Sequence, residues 1–343
     1  MGKLFKVLKK SLPVAIVVHN NPDPDSLASA FALRAILENK GYKRIKIYYD
    51  GLIGRAENQA MIKHLNIPLF KTKNMSSPES RQFVLVDCQP FSGNVTLPST
   101  AKCIGAIDHH PKQEKASQLP FLDVKPDYGA GSTIIYEYFK SLDINISRDI
   151  ATALFFAVFS ETEGLGREGS SADRKAYLEL LPLVSFSQLS KIQFPALSKE
   201  FVVRLSDVLI NTFYYKNFCG VVLAQLPYPD FVAEMADFLL RIKNISWSLC
   251  VGSFKDLVYI SVRTSNVEAN APEIMKKIIP SYGTSGGHDM VAGAQIKIND
   301  TKGKSIDFLK KDIVRKMLRE LNHQKVKNVY RLVNNEEYNF FEK

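Results

Sequence analysis

The sequence predicts an α/β protein: an N-terminal domain built on a mainly parallel sheet with helices on both faces, followed by a smaller α/β domain. Three observations lead there. Short β-branched runs alternate with segments of helical apolar spacing through the first half, the pattern of βαβ crossovers. A second alternation begins near residue 199, after a stretch where the pattern loosens. The 343 residues, 45% hydrophobic and 23% charged, suffice for about two domains with cores of ordinary size.

The elements follow in order. Val14–His19 is a short β-branched run, and Ser26–Lys40 carries Leu27, Ala30, Phe31, Leu33 and Leu37 at helical spacing before stopping at Gly41. Ile45–Tyr49 reads as a strand and Glu57–Leu65 as a helix. Phe83–Val86 and Cys103–Ile107 are two more short buried strands, and Ser132–Phe139, Ile150–Phe159 and Ala172–Leu181 read as helices. The loosened stretch Ser185–Ser198 is the expected interdomain connection, which sets the domains at 1–190 and 200–325. A helix is expected over Lys199–Thr212. Strands are expected at Cys219–Gln225, Trp247–Gly252, Leu257–Arg263 and Met290–Ile298, with helices at Asp230–Arg241, Ala271–Ile278 and Ile306–Leu321. The polar stretch Gln324–Lys343 reads as a loose tail or a late edge element.

Composition narrows the function classes. It excludes a disordered tail, a collagen-like fibre and a small disulfide scaffold. The net charge of +10 draws polyanions, without naming one. The four cysteines, Cys88, Cys103, Cys219 and Cys250, form no C-x-x-C pair, so a zinc knuckle and a thioredoxin-type motif are excluded. Four thiols in so long a chain read as reduced and buried, which points to the cytoplasm. Pro13–Val18 is too short for the apolar part of a signal peptide, Lys6 breaks the myristoylation pattern, and no apolar run approaches the ~18 residues of a membrane span.

Three of the strands end in the same kind of residue. Val14–Val18 runs into His19, with Asp23 and Asp25 in the following loop; Phe83–Val86 runs into Asp87; Cys103–Ile107 runs into Asp108-His109-His110. In a parallel sheet these are carboxyl ends, so all three open on one edge, where ligands bind. Carboxylates gathered there repel one another unless cations separate them. Aspartate with imidazole suits divalent metals such as Mn²⁺, and two metals need about six or seven ligands with one carboxylate shared. Pro22 and Pro24 stiffen the first loop, and Asp25 or Ser26 stands where it can N-cap the next helix. Capping explains one carboxylate, not three acidic strand ends with three histidines.

His19-Asn20-Asn21-Pro22-Asp23-Pro24-Asp25, Leu85-Val86-Asp87 and Asp108-His109-His110 closely resemble the first three motifs of the DHH phosphoesterase family. Ser285-Gly286-Gly287-His288, followed by Val291-Ala292-Gly293, resembles the first type of DHH-associated domain. The motifs span roughly Val14 to Gln295. The resemblance implies a two-metal hydrolase, usually Mn²⁺-dependent, with the second domain facing the first across a cleft. It implies that His19 and Asp23 bind one metal, Asp25 and His109 the other, and Asp87 both. Asp108 then orients a ligand histidine, and His110 faces the scissile phosphate. In the family's fourth motif Glu161 stands where aspartate is usual; one methylene longer, it still reaches the second metal. Arg263 resembles a phosphate-gripping arginine, and Ser285, Gly286, Gly287 and His288 a glycine-rich substrate loop whose backbone approaches phosphate closely.

The implied activity is hydrolysis of short oligonucleotides or small nucleotides to nucleoside monophosphates, by in-line attack of a water shared by the two metals. A phosphatase of adenosine bisphosphate or a hydrolase of linear dinucleotides is the alternative within enzymes. A pyrophosphatase fits less well, because the second domain resembles that of the nucleotide-using branch. From another class, a nucleotide or nucleic-acid binder that lost catalysis at Glu161 stays open, as does a homodimer.

Overall fold

The first unit, Met1–Ala196, opens with a short helix, α1 (Gly2–Val7), that buries Leu4. There follow β1 (Val14–Val17), α2 (Pro24–Asn39), β2 (Ile45–Tyr49), α3 (Ala56–His64), β3 (Leu69–Lys71), β4 (Gln82–Val86), β5 (Cys103–Asp108), β6 (Phe121–Val124), α4 (Gly131–Ser141), α5 (Arg148–Glu161), α6 (Ser171–Leu180) and α7 (Phe186–Gln193). The computed structural model describes residues 1–166, 169–300, 305–323, 326 and 328–340.

The six strands lie in the order β3-β2-β1-β4-β5-β6, every pairing parallel. Residues alternate faces along β1. Val14 and Ile16 pack into one buried cluster with Leu33 and Leu154, while Ala15 and Val17 pack into another with Phe83 and Leu85. Burial on both faces is why these strands read as unbroken apolar runs. Each such aliphatic side chain contributes roughly 1.5–3 kcal/mol by leaving water. From β1 the chain runs out to β2 and β3, then returns to β4 on the other side of β1. The carboxyl ends of β1 and β4 therefore flank the crevice at which an open α/β sheet holds its ligands.

Local chemistry sets the elements around that crevice. Asp23 caps α2, accepting from Ser26 N at 2.9 Å, with Pro24 in the first turn. The cap is thus Asp23, not Asp25 or Ser26; Asp25, second in the helix, turns its carboxylate to Gly131 N and Ser132 N instead. Helix α7 lies inside the stretch read as a connection. Only Leu189 and Ile192 of it are buried, too few to give an apolar period. Strands β3 and β6, also not read from sequence, are short and only partly buried.

The second unit, Leu197–Lys343, contains α8 (Lys199–Asn211), β7 (Phe213–Tyr215), β8 (Phe218–Gln225), α9 (Phe231–Leu240), β9 (Trp247–Phe254), β10 (Leu257–Thr264), α10 (Ala271–Ile278), β11 (Thr284–His288), β12 (Val291–Lys297), α11 (Ile306–Glu320), β13 (Val329–Arg331) and β14 (Glu337–Tyr338). Its sheet runs β11-β12-β10-β9-β8-β7-β13-β14; only β8 and β9 pair in parallel. One core joins Leu249, Val251, Ile260 and Val262 to Met275, Ile313 and Met317, and another joins Val221 and Cys250 to Phe231, Met235 and Leu239.

One expectation changes here and another resolves. The glycine-rich stretch read as a loop is β11, paired antiparallel with β12 through Ser285↔Ala294 and Gly287↔Ala292. Glycine has no side chain to alternate, so its own sequence carries no strand signal; β12 supplies the register. The polar C-terminal stretch forms β13 and β14 at the far edge of the sheet, so the edge-element reading holds there; residues 324, 325, 327 and 341–343 lie outside the described residues. The cysteines form no disulfide, and among the described residues no helix is long and apolar enough to cross a membrane.

Candidate metal centre

Strands β1, β4 and β5 bring His19, Asp87 and Asp108-His109-His110 to the same sheet edge, and the β1–α2 turn adds Asp23 and Asp25. These side chains form a continuous series. His19 Nε2 lies 3.3 Å from Asp23 Oδ2 and 3.4 Å from Asp87 Oδ2. His109 Nε2 lies 3.5 Å from Asp87 Oδ1 and 3.7 Å from Asp25 Oδ2. Most of these distances are long for hydrogen bonds. All but the His109–Asp25 distance suit pairs of ligands on a shared ion: atoms about 2.1 Å from a common metal and 90–110° apart lie about 3.0–3.5 Å from each other. His19, Asp23 and Asp87 form one group able to hold an ion, and Asp87, His109 and His110 another; Asp87 is in both.

The far side of each imidazole is already committed. His19 Nδ1 is 2.9 Å from Asn20 O, and His109 Nδ1 is 3.0 Å from Tyr128 O. A carbonyl only accepts, so both Nδ1 atoms donate. Each Nε2 then faces carboxylate oxygens, and that arrangement needs a cation between them or a proton on the ring. Titration behaviour follows. Burial works to lower the pKa of His19, but Asp23 and Asp87 outweigh it and hold it well above the ordinary value. Burial, with the charge of Asp87, pushes Asp25 up to about 6. Burial opposes the ionisation of Asp23, yet His19 holds its carboxyl below the usual range.

Asp87 is the centre of the cluster. It is 1% exposed, and its Oδ1 has no hydrogen-bond partner among the described residues. Its backbone is left-handed, φ +57°, a conformation that Asp and Asn tolerate better than most residues. A buried carboxylate oxygen without a donor is expensive. A divalent cation is the partner this donor set fits.

Asp108 is bound differently. Its Oδ1 accepts from His109 N, His110 N and His110 Nδ1 at 2.9, 3.2 and 2.8 Å, and its Oδ2 accepts from Gln89 Nε2 at 2.6 Å. Burial would raise its pKa, but the His110 bond holds it low. His110 is more open. Burial would lower its pKa, yet Asp108 and Asp87 push it up to about 10. Glu161 is the last residue of α5, half-buried, and in neither group of three ligands.

In the second unit Arg263 sits on β10. Its Nε donates to Asp237 Oδ1 at 2.6 Å and its Nη1 to Ser261 Oγ at 2.8 Å and Val262 O at 3.1 Å. Its fork is engaged by the protein's own acceptors, more than the sequence reading allowed. Ser285, Gly286 and Gly287 are exposed on β11. Residue 288 pairs with Val291, which pairs with Arg263, so the glycine strand and the arginine share one row of the sheet. The side chain of His288 lies outside what is described.

Sequence reasoning missed Gln89, buried beneath Asp108, where it also accepts from Gln113 N at 2.8 Å. It missed Gly131 too, although glycines at a helix start signal close backbone approach. A Cβ at Gly131 would lie 3.2 Å from Asp25 Oδ2 and 3.8 Å from both Asp87 Oδ1 and His109 Cδ2. Gly131→Ala is therefore expected to lower Mn²⁺ affinity about tenfold, the scale of changes just outside a metal's ligands; a metal titration that matches wild type would refute the crowding.

The fold and the cluster define a two-unit α/β protein with a candidate divalent-metal centre at its sheet edge. Residues 13–158 match the model of the DHH family N-terminal domain and residues 227–314 that of the DHHA1 domain: the chain belongs to the DHH family and carries a DHHA1 domain. It is 33% identical over 323 residues to an uncharacterised protein of Methanocaldococcus jannaschii, covering 94% of this chain and 65% of that one. It is 27% identical over 144 residues to a "probable manganese-dependent inorganic pyrophosphatase" of Staphylococcus epidermidis, covering 42% and 46%. The aligned region thus spans less than two thirds of either relative. Among solved structures, an exopolyphosphatase-related protein from Bacteroides fragilis has a TM-score of 0.73 at 15% identity, over 95% of this chain and 98% of that one. RecJ from Thermus thermophilus, in complex with Mn²⁺, has a TM-score of 0.52 at 13% identity, over 93% and 54%. Both are likenesses of fold.

Proposed function

We propose that the chain is a divalent-metal-dependent phosphoesterase that hydrolyses short oligonucleotides or small nucleotides to nucleoside monophosphates. One observation carries the metal: Asp87, buried between His19 and His109 with an oxygen that nothing donates to. Membership of the DHH family, and relatives named for manganese-dependent hydrolysis, support the reaction class. The DHHA1 domain supports a nucleotide substrate through the branch its Ser285–His288 motif resembles.

On this reading His19 and Asp23 would hold one ion and Asp25 and His109 a second, with Asp87 serving both. Two ions so held, Mn²⁺ first among candidates, supply Lewis acidity and lower the pKa of a coordinated water. The carbonyls of Asn20 and Tyr128 fix the two ligand imidazoles. His110, kept protonated and aimed by Asp108 and Gln89, presents positive charge to the phosphoryl oxygens as their charge grows. Arg263 and the Ser285–His288 strand are the second unit's candidates for binding substrate. Glu161 completes the second ion's set; Glu161→Asp is expected to stay within about tenfold of wild-type kcat/KM, and Glu161→Gln to lose about a hundredfold. Equal activity in all three would remove Glu161 from the set.

The likeness to a pyrophosphatase over 144 residues favours a second reading, cleavage of a phosphoanhydride. Product analysis with Mn²⁺ separates the two. The substrates are end-labelled RNAs and DNAs of graded length, a linear dinucleotide, adenosine 3′,5′-bisphosphate and pyrophosphate. Release of mononucleotides from the shortest oligomers supports the proposal. Turnover of pyrophosphate alone replaces it with the second reading, and binding of oligomers without any cleavage makes the chain a binding protein.

A further inference from the structure

The sheet delivers His109 and the β1–α2 turn delivers Asp25, but a third segment touches both. Residues 128–133 lead into the first turn of α4. Tyr128 O accepts from His109 Nδ1 at 3.0 Å, while Gly131 N and Ser132 N donate to the two oxygens of Asp25 at 2.6 and 2.8 Å. This segment is held in turn by Asp173 of α6, a fully buried carboxylate. Asp173 Oδ2 accepts from Gly129 N at 2.7 Å, and its Oδ1 accepts from Thr133 Oγ1.

Asp173 also closes the capping box of α6 with Ser170: Oδ2 accepts from Ser170 N at 2.8 Å, and Ser170 Oγ accepts from Asp173 N at 3.2 Å. A capping box needs only those bonds. The bonds to Gly129 and Thr133 are additional, and they run to the segment that grips two candidate ligands. Three amides of that segment are held by carboxylates: Gly129 by Asp173, and Gly131 and Ser132 by Asp25.

We infer that Asp173 is a positioning residue of the metal centre, fixing segment 128–133 and through it the separation of Asp25 from His109. The inference rests on the reading of the cluster as a metal centre. Groups that orient ligands without touching the metal typically change its affinity 10–100-fold.

The test is Mn²⁺ titration calorimetry on the full chain and three variants, with circular dichroism to check the fold. Asp173→Asn exchanges one acceptor oxygen for a donor. Thr133→Val cuts a link to the segment and leaves the cap. Ser170→Ala removes the two bonds of Ser170 Oγ with Asp173 and leaves those from Gly129 and Thr133. Asp173→Asn and Thr133→Val are expected to bind Mn²⁺ about tenfold or more weakly, with hydrolysis recovering at excess Mn²⁺, and Ser170→Ala to stay within about twofold. If Asp173→Asn does not fold, the other two variants decide. Wild-type affinity in Thr133→Val, or an equal loss in Ser170→Ala, reduces Asp173 to a helix cap. Absence of Mn²⁺ binding in the wild type overturns the metal reading itself, a result seen before any variant is compared.

Discussion

Asp87→Asn is expected to lower Mn²⁺-dependent kcat/KM by about 10³-fold while leaving the fold intact. Lewis-acid stabilisation of a phosphoryl transition state is worth several kcal/mol, and each 1.36 kcal/mol is about tenfold in rate. Asp87 is the residue common to both ligand groups, so on the proposed reading its loss touches both ions. Asparagine keeps the shape and accepts the left-handed backbone at φ +57°. The same variant should lose the thermal shift that Mn²⁺ gives the wild type. At a hundred times the dissociation constant that stabilisation is about 2.7 kcal/mol, or roughly 5–10 °C for a unit of this size. Kinetics and a thermal melt with and without Mn²⁺ check both parts. Undiminished turnover would mean that the reacting phosphate sits elsewhere.

Mn²⁺ binding is expected to tighten steeply with pH. In the metal-free protein His19 holds its proton well above its ordinary range, since Asp23 and Asp87 outweigh burial, and Asp25 holds one up to about 6 because of burial and Asp87. An ion must displace those protons. Each displaced proton makes affinity rise about tenfold per pH unit below the group's pKa. The slope is therefore about one proton above pH 6 and about two below it. For these raised groups the sign for the stability of the metal-free fold is the opposite. A raised pKa favours the metal-free fold at low pH: for Asp25 the contribution is complete below about 3.9, its unfolded value, and is gone once pH passes about 6. The lowered groups, Asp23 and Asp108, act oppositely, contributing above their unfolded values and losing it as pH falls. Stabilisation by Mn²⁺ should thus be larger at about pH 8 than at about pH 6. Calorimetry in buffers of different ionisation enthalpy reads the proton count directly, and a flat affinity across roughly pH 5–8 would contradict the cluster's chemistry.

The α/β class and the sheet edge were legible in the sequence because both depend on local signals. Doubly buried strands are short apolar runs, and a parallel sheet sends their carboxyl ends the same way, so His19, Asp87 and Asp108 group together from the chain alone. What was not legible depends on pairings that leave no period in the chain. Gln89 matters only because it lies under Asp108, and Asp173 only because α6 meets segment 128–133. Asp108 itself, read from the family resemblance as an orienting group, accepts from four donors around His109, His110 and Gln89. The strand Thr284–His288 was hidden by its glycines. That Arg263 donates to Asp237 was not legible either, since nothing in the chain ties positions 26 apart.

The place of β1 in the sheet has a consequence for how the protein comes apart. His19 leaves β1 and Asp87 leaves β4, far apart in the chain but made neighbours in space by the ladder Val14↔Gln82 to Val17↔Leu85. No peptide fragment carrying one of them can assemble the cation cradle. On the proposed reading Mn²⁺ is a ligand of the native state alone, so a chelator weakens the middle of the sheet rather than a peripheral turn. Amide exchange in Val14–Val17 and Gln82–Val86, ordinarily the slowest class in such a sheet, then tracks the free metal concentration.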